Sequence, residues 1–266
     1  MTHLPLLDDL HRHLRTERLG RPARGYQETG STNRQAMTWT REGAPEGSLV
    51  VAEHQTAGCG RLGRSWNDAS GRNLLFSVVL RPDLPAERLS LITLAAGVAV
   101  TDAIAACLPH QPAIKWPNDV LVGGRKCCGM LLESSSKGTS PGPVVLGVGL
   151  NVNQEVFPDE LAGRATSLLL EGGRPVSRAP LLADLLRQLE KRYNTLRCDE
   201  GASVREAYEA RLAGCGDELT VRTADGSAEA GGTLHGVSET GALVLETASG
   251  RRTFHAGEVT VVADGE

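Results

Sequence analysis

The chain has little of what marks several common protein classes. Lysine occurs at only four positions (Lys115, Lys126, Lys137 and Lys191), aromatic residues make up 3%, and the net charge is −4. Such a balance lacks the basic footprint of a nucleic-acid binder, so we expect no nucleic-acid partner. The six cysteines form no C-x-x-C pair. Since no cysteine or histidine has zinc-site spacing, we assign no metal ligand among them.

Signals for membranes and export are also missing. We expect no apolar run that reaches the length of a membrane span, and no charged-then-apolar leader opens the chain. Unpaired thiols suit a reducing compartment. The sequence therefore predicts a soluble protein without a membrane partner, located in the cytoplasm. A chain of 266 residues has room for one large domain and a small one.

The order of apolar runs predicts a mixed α+β domain over residues 1–213, followed by a small β-barrel over 214–266. We expect helices over 4–18, 32–41, 86–108, 177–197 and 202–213, and strands over 48–53, 74–80, 113–119, 120–122, 126–133 and 143–150. The Gly123-Gly124 pair is typical of a hairpin, which favours a largely antiparallel α+β sheet over a doubly wound one. Short strands over 218–223, 228–237, 242–247 and 253–262 predict the barrel.

A loop at residues 58–64 contains three glycines and two arginines. Glycine lets a backbone approach a ligand closely, and arginine matches carboxylate and phosphate oxygens, so the loop is suited to an anion. Residues 58–63 also match G-x-G-x-x-G, with Asp83 and Glu87 near the spacing of a ribose carboxylate. The following segment predicts a strand instead of the helix that a dinucleotide site needs. A mobile surface loop is the other alternative, although an unstructured loop over 55–72 is more typical of a lid.

Three further segments carry polar groups at strand ends. Residues 115–119 (Lys-Trp-Pro-Asn-Asp) place a cation, an amide and a carboxylate together. Residues 125–133 begin an apolar strand with a lysine and put a glycine three positions later. Residues 147–153 alternate glycine with aliphatic side chains and end in two amides. Glycine inside a strand commonly marks a bulge or the close approach of a ligand.

Together with residues 31–33 and 55–66, these segments closely resemble the biotin protein ligases from about residue 28 to residue 262. The resemblance implies a catalytic domain similar to those of lipoate ligases and class II synthetases, with an SH3-like C-terminal barrel. It implies that biotin is the substrate, with ATP and Mg²⁺, that biotinyl-5′-adenylate forms, and that biotin passes to one lysine of a biotin carboxyl carrier protein. Such enzymes occur as monomers and dimers, so a homodimer stays open.

The resemblance also assigns roles to residues. Lys126 and Arg61 would be catalytic, and no metal ligand is firmly assigned, with Asp119 the residue expected near Mg²⁺. The residues expected at biotin are Ser31, Thr32, Gln55, Gly58, Cys59, Arg61, Lys126, Gly129 and Gly149. Those expected at ATP or the adenylate are Arg61, Arg64, Trp66, Lys115, Asn118, Asp119, Lys126, Asn151 and Asn153. Gly129 and Gly149 would leave space for the bicyclic ring. Trp66 would stack on adenine, or pack on its own domain as an ordinary loop aromatic.

The sequence departs from the family pattern in two places. Cys59 stands where the first arginine of the usual Gly-Arg-Gly-Arg is expected, which removes a cation from the loop. Only about twenty-five residues precede Tyr26, too few for a helix-turn-helix, so we expect no DNA binding. Two other functions stay open. Cys59 makes a non-catalytic biotin-binding module conceivable, whereas residues 115–119 beside the loop argue against a lipoate-type acyl ligase.

Overall fold

The computed structural model describes residues 4–134, 142–223, 228–255 and 259–263. The helices are α1 Pro5–His13, α2 Thr32–Arg41, α3 Ser90–Ile104, α4 Leu168–Gly172, α5 Arg178–Cys198 and α6 Ala202–Glu209. The strands are β1 Ala23–Thr29, β2 Leu49–Gln55, β3 Leu74–Leu80, β4 Ala113–Lys115, β5 Asp119–Val122, β6 Arg125–Ser134, β7 Val144–Leu150, β8 Glu218–Thr223, β9 Ala228–Val237, β10 Leu243–Thr247, β11 Gly250–Phe254 and β12 Val259–Ala263.

A seven-stranded sheet in the order β1-β2-β3-β7-β6-β5-β4 forms the larger unit. β1 and β2 are parallel, and every other neighbouring pair is antiparallel, which confirms the α+β prediction. β3 is buried along its whole length because both faces of the sheet are covered. Val50, Val79 and Val145 pack under α2 on one face, whereas alternate residues of the same strands join the main core on the other.

α3 is the central helix of the main core. The segment Ala86–Cys107 is long and apolar enough to cross a membrane by length and composition, so the expectation that no run reaches that length is wrong. Its most apolar window is 72% buried inside the fold, as in a core helix of a globular domain. α3 packs against α5, α6 and the β4–β6 half of the sheet, and therefore supports the strands that carry the predicted site.

The second sheet is antiparallel throughout, in the order β11-β10-β9-β8-β12. Apolar residues of this sheet join the same continuous core as the larger unit. The turn between β9 and β10 also touches the larger unit, because the Trp116 indole N–H donates to the Gly241 carbonyl at 3.1 Å and the Ser90 hydroxyl donates to the Thr240 carbonyl. Barrel closure and the domain boundary at residue 214 stay predictions.

Several predicted bounds differ from the structure. The first helix ends at His13 because Leu14 is extended. The strand predicted over 113–119 ends at Lys115, where residues 116–118 form a turn that contains a cis Trp116–Pro117 bond, and Pro117 has no N–H for the sheet. The strand predicted over 253–262 is two strands, with residues 256–258 outside the described part. β1 and α4 were not predicted, and α6 ends four residues early.

Candidate active site

Fourteen of the sixteen predicted site residues surround one cavity of about 760 Å³ on the larger unit. Its walls come from the start of α2, the end of β2, the loop after it, the β4–β5 turn, β6 and β7. The predicted residues that line it are Ser31, Thr32, Gln55, Cys59, Arg61, Arg64, Trp66, Lys115, Asn118, Asp119, Lys126, Gly129, Gly149 and Asn151. Gly58 and Asn153 do not line it. Strand ends and one helix start thus bring together residues from five segments of the chain.

Hydroxyl and amide groups form a fixed polar cluster in the cavity wall. The Oε1 atom of Gln55 accepts hydrogen bonds from the Thr32 amide at 2.7 Å and the Thr32 hydroxyl at 3.0 Å. Ser77 Oγ lies 2.8 Å from Thr32 Oγ1. Ser31 is buried at the start of α2, where its carbonyl accepts the Gln35 amide. With Oε1 occupied, the Gln55 Nε2 group is the donor left to meet a polar ligand.

Lys126 is held at both its backbone and its ammonium group. Its amide donates to the Arg164 carbonyl, and its carbonyl accepts from the Thr166 amide, each at 2.9 Å. The side-chain Nζ lies 2.8 Å from Asp119 Oδ1, with both side chains partly exposed. The same Nζ is 5.6 Å from the centre of the Trp66 ring. Asp119 therefore orients a cation that can still reach an anionic ligand.

Arg61 is the less exposed of the two arginines in the glycine–arginine loop, and both line the cavity. Its Nη1 donates to Asn118 Oδ1 at 3.2 Å, and Asn118 Nδ2 donates in turn to the Met130 carbonyl at 2.8 Å. Burial lowers the pKa of the Arg61 guanidinium, Asp119 opposes that shift, and the neighbouring Arg64 adds to it. Because the pKa of arginine starts so high, Arg61 stays charged at neutral pH. A second cation thus stands beside Lys126 and Asp119.

Trp66 lies directly on the sheet glycines Gly129 and Gly149, which are cross-strand partners. A Cβ at Gly149 would be 2.5 Å from Trp66 Cε2, and one at Gly129 would be 2.9 Å from Trp66 Cζ3. The space expected for the bicyclic ring is therefore filled by the indole, as in the alternative of a loop aromatic packed on its domain. The indole Nε1 is buried without a hydrogen-bond partner among the described residues.

The glycine–arginine loop is folded, contrary to the expectation of a loop without structure. Cys59 and Ser65 form a β-bridge, the Gly60 amide donates to the Arg64 carbonyl at 2.6 Å, and residues 61–63 make a 3₁₀ turn. Leu62, at the tip, is 56% exposed. The Cys59 thiol donates to the Ala57 carbonyl at 3.2 Å. The loop is thus a short hairpin that presents Arg61 toward Asn118.

Gly58 and Asn153 have structural contacts outside the cavity lining, and their expected ligand roles stay predictions. The Gly58 carbonyl accepts the Trp66 amide at 2.9 Å, which closes the base of the hairpin. The Asn153 side chain exchanges two hydrogen bonds of 2.9 Å with the Val176 backbone. Asn151 does line the cavity, and its Oδ1 is buried without a partner among the described residues, although its Nδ2 donates to the Thr166 carbonyl.

Some residues of this site were not predicted. Asn33 joins the polar cluster through a 2.6 Å contact with Ser77 Oγ and a 2.6 Å hydrogen bond to Glu133 Oε2. Its place directly after Ser31-Thr32 was the signal that could have found it. Trp116, Pro117 and parts of the segment 157–165 also line the cavity. That segment has no distinctive composition, so the sequence does not mark it as part of the site. The structure places it there through the hydrogen bond from the Lys126 amide to the Arg164 carbonyl.

The geometry of the cavity defines a class of protein. A cavity with two cations, a buried polar cluster and a folded glycine loop, on an α+β scaffold, suits an enzyme that brings together polar, anionic small molecules. The Biotin/lipoate A/B protein ligase family model matches residues 26–151, and the Biotin protein ligase C terminal domain model matches residues 214–262.

Similar proteins of known name identify the family within this class. A Biotin--[acetyl-CoA-carboxylase] ligase of Paracoccus denitrificans is 38% identical and covers 87% of this chain and 97% of its own. The Bifunctional ligase/repressor BirA of Bacillus spizizenii is 36% identical and covers 92% and 76%. The solved biotin protein ligase of Aquifex aeolicus in complex with biotin and ATP is 27% identical, covers 92% and 100%, and has a TM-score of 0.81. The chain belongs to the biotin protein ligase family.

Proposed function

We propose that this chain activates biotin with ATP as biotinyl-5′-adenylate and transfers the biotinyl group to a lysine of a biotin carboxyl carrier protein. The observation that carries the proposal is one cavity in which Lys126 and Arg61 accompany the polar cluster of Thr32 and Gln55. A ureido ring can pair with the cluster, and a carboxylate beside a phosphate needs the cations. The relatives named as biotin ligases and the relative solved with biotin and ATP support the same reaction.

In the first half-reaction the biotin carboxylate attacks the α-phosphorus of ATP, an acyl–phosphate bond forms, and pyrophosphate leaves. Two anions must approach each other, so placed cations lower the barrier. Lys126, oriented by Asp119, is suited to contact both the carboxylate and the α-phosphate. Arg61 is suited to hold the phosphate and to keep water from the adenylate.

Mg²⁺ fits this site as a companion of the triphosphate. The described residues contain no group of three or more His, Cys, Asp or Glu side chains that could hold a metal alone. Asp119 Oδ1 is a buried acceptor with the Lys126 ammonium beside it. Mg²⁺ is commonly bound by one or two carboxylates together with substrate phosphates, and Asp119 would supply the carboxylate. Bound there, the ion would neutralise phosphate charge.

The second half-reaction needs no nucleophile from this chain. The carrier lysine attacks the carbonyl of the mixed anhydride, an amide forms, AMP leaves, and the amine loses a proton. The role of the protein is to hold the adenylate and to admit one amine. We propose a carrier domain of a biotin-dependent carboxylase as that partner, in line with the name of the Paracoccus denitrificans relative, a Biotin--[acetyl-CoA-carboxylase] ligase.

A transfer assay tests the function. Purified protein is mixed with biotin, ATP, Mg²⁺ and an isolated carrier domain, and the intact mass of the carrier is measured. We expect one biotinyl group per carrier, none without ATP, and none on a carrier whose acceptor lysine is arginine. Lipoate in place of biotin is the control for the lipoate-type alternative. Biotin binding without transfer would refute the proposed ligase activity and favour a non-catalytic biotin-binding module.

A further inference from the structure

The buried carboxylate of Asp68 lies outside the cavity yet contacts its wall. Asp68 follows the glycine–arginine hairpin, and its side chain is fully buried. Oδ1 lies 2.8 Å from His54 Nδ1, and Oδ2 accepts the Gln55 amide at 3.2 Å. A buried carboxylate needs such donors, because an unpaired charge in the interior is costly. Asp68 therefore connects the last two residues of β2 to the segment after the hairpin.

This connection continues into the polar cluster. Gln55 is the last residue of β2, and its Oε1 accepts both the Thr32 amide and the Thr32 hydroxyl. Both residues line the cavity, whereas Asp68 does not. A rotation of the β2 end would turn the side-chain amide group of Gln55 away from a ligand. Asp68 opposes that rotation with a charge-assisted hydrogen bond to the Gln55 backbone.

We propose that Asp68 is a positioning residue that fixes Gln55 for the polar ring of biotin and joins the two ends of the loop over residues 55–68. The inference rests on the proposed function. Its expected signature is weaker biotin binding with the later chemistry intact, because Gln55 contacts the ring alike in the ground state and the transition state. Loss of such uniform binding raises KM and leaves kcat unchanged.

The test compares Asp68→Ala with Asp68→Asn. Alanine leaves the Gln55 backbone N–H and the His54 ring without their buried partner. We therefore expect the biotin KM and the biotin Kd measured by calorimetry to rise about 10–100-fold. The kcat and the KM for ATP should change less than about threefold. Asparagine can accept from the Gln55 amide and donate to His54, so we expect values within about threefold of wild type.

Glu53→Ala is the matched control for general destabilisation. Glu53 is a buried carboxylate on the same strand, and it forms an ion pair of 2.6 Å with Arg178 on α5 instead of contacting Gln55. We expect it to lower the melting temperature as Asp68→Ala does, without raising the biotin KM. An equal rise in both variants, or an unchanged biotin KM in Asp68→Ala, would overturn the proposal.

Two further measurements keep the outcomes distinct. If Asp68→Ala does not fold, Asp68→Ser replaces it, because the shorter serine side chain does not reach the Gln55 backbone N–H, and an unchanged biotin Kd in that folded variant overturns the proposal. In a Gln55→Ala background, Asp68→Ala should add no further rise in the biotin KM, and an additive rise counts against positioning. Calorimetry on the wild-type protein separates failure of the Asp68 proposal from failure of the proposed function. Absence of biotin binding to the wild type would refute the proposed function itself.

Discussion

Gly149→Ala tests whether Trp66 is seated on the sheet as the structure has it. The new methyl carbon would lie 2.5, 2.8 and 3.0 Å from three atoms of the Trp66 ring. Carbon atoms in ordinary contact are about 3.5–4.0 Å apart, so the ring has to retreat by about 1 Å. Gly149 is in β7 at the centre of the sheet and Trp66 is in a loop. We therefore expect the indole to move and the sheet to stay in place.

The expected cost follows from overpacking, which is typically about 1–3 kcal/mol. Trp66 lines the cavity with its ring centre 5.6 Å from the Lys126 ammonium, so a displaced indole disturbs the site, and we expect kcat/KM for ATP to fall at least about fivefold in the transfer assay. The control is Gly231→Ala, a strand glycine of the second sheet where a Cβ would meet only the Leu219 carbonyl oxygen, at 4.0 Å. That variant should keep wild-type kinetics.

A double-mutant cycle decides the cause. If the alanine acts by displacing the indole, Gly149→Ala should have almost no further effect in a Trp66→Ala background. The same loss in both backgrounds, or wild-type kcat/KM in the single variant, would refute the seating of Trp66 on Gly149. Circular dichroism and the melting temperature check that each variant is folded.

Three other predictions concern Lys126, Arg61 and the cysteines. Lys126→Ala should reduce biotin-dependent pyrophosphate release about 100–1,000-fold at an unchanged melting temperature, because a charge-stabilising donor is lost, and near-normal release would exclude its catalytic role. Arg61→Gly should release at least about tenfold more free biotinyl-adenylate, as quantified by mass spectrometry, since it removes the loop cation; undiminished retention of the adenylate would contradict the role of Arg61 in holding it. Burial raises the pKa of the Cys127 and Cys128 thiols, so few thiolates exist at pH 8. Iodoacetamide should label exposed Cys59 in the native protein and reach those two only after unfolding, and equal rates would be inconsistent with their burial.

The parts of the fold that sequence predicted well are those with both faces buried. β3 and β7 are apolar at nearly every position, and such continuous runs are typical of central strands. β1 was missed because its sequence, Ala-Arg-Gly-Tyr-Gln-Glu-Thr, neither alternates nor forms an apolar run. Among the described strands it lies at the sheet edge and pairs with β2 alone, so few of its side chains are buried.

The candidate site was predictable where residue type alone limits the chemistry. A lysine opening β6 and an arginine in a glycine loop point to an anion, and the structure brings Lys126 and Arg61 to one cavity. Pairings between distant segments were not predictable. The sequence has no sign that Trp66 would cover Gly149, or that Asn153 would match the Val176 backbone, because those contacts depend on how separate loops pack.

The hydrogen bond from Trp116 to Gly241 links the cavity to the second sheet. Trp116 lines the cavity between Lys115 and Pro117, and its indole is otherwise buried in the shared core. A ligand that orders the turn at residues 116–118 would therefore favour packing of the second sheet against the larger unit. By thermodynamic reciprocity, that packing would raise the affinity for the ligand. Separating the two units would leave the indole N–H unsatisfied and apolar surface in water. The whole chain should consequently melt in one cooperative transition, which ligands shift as a single unit.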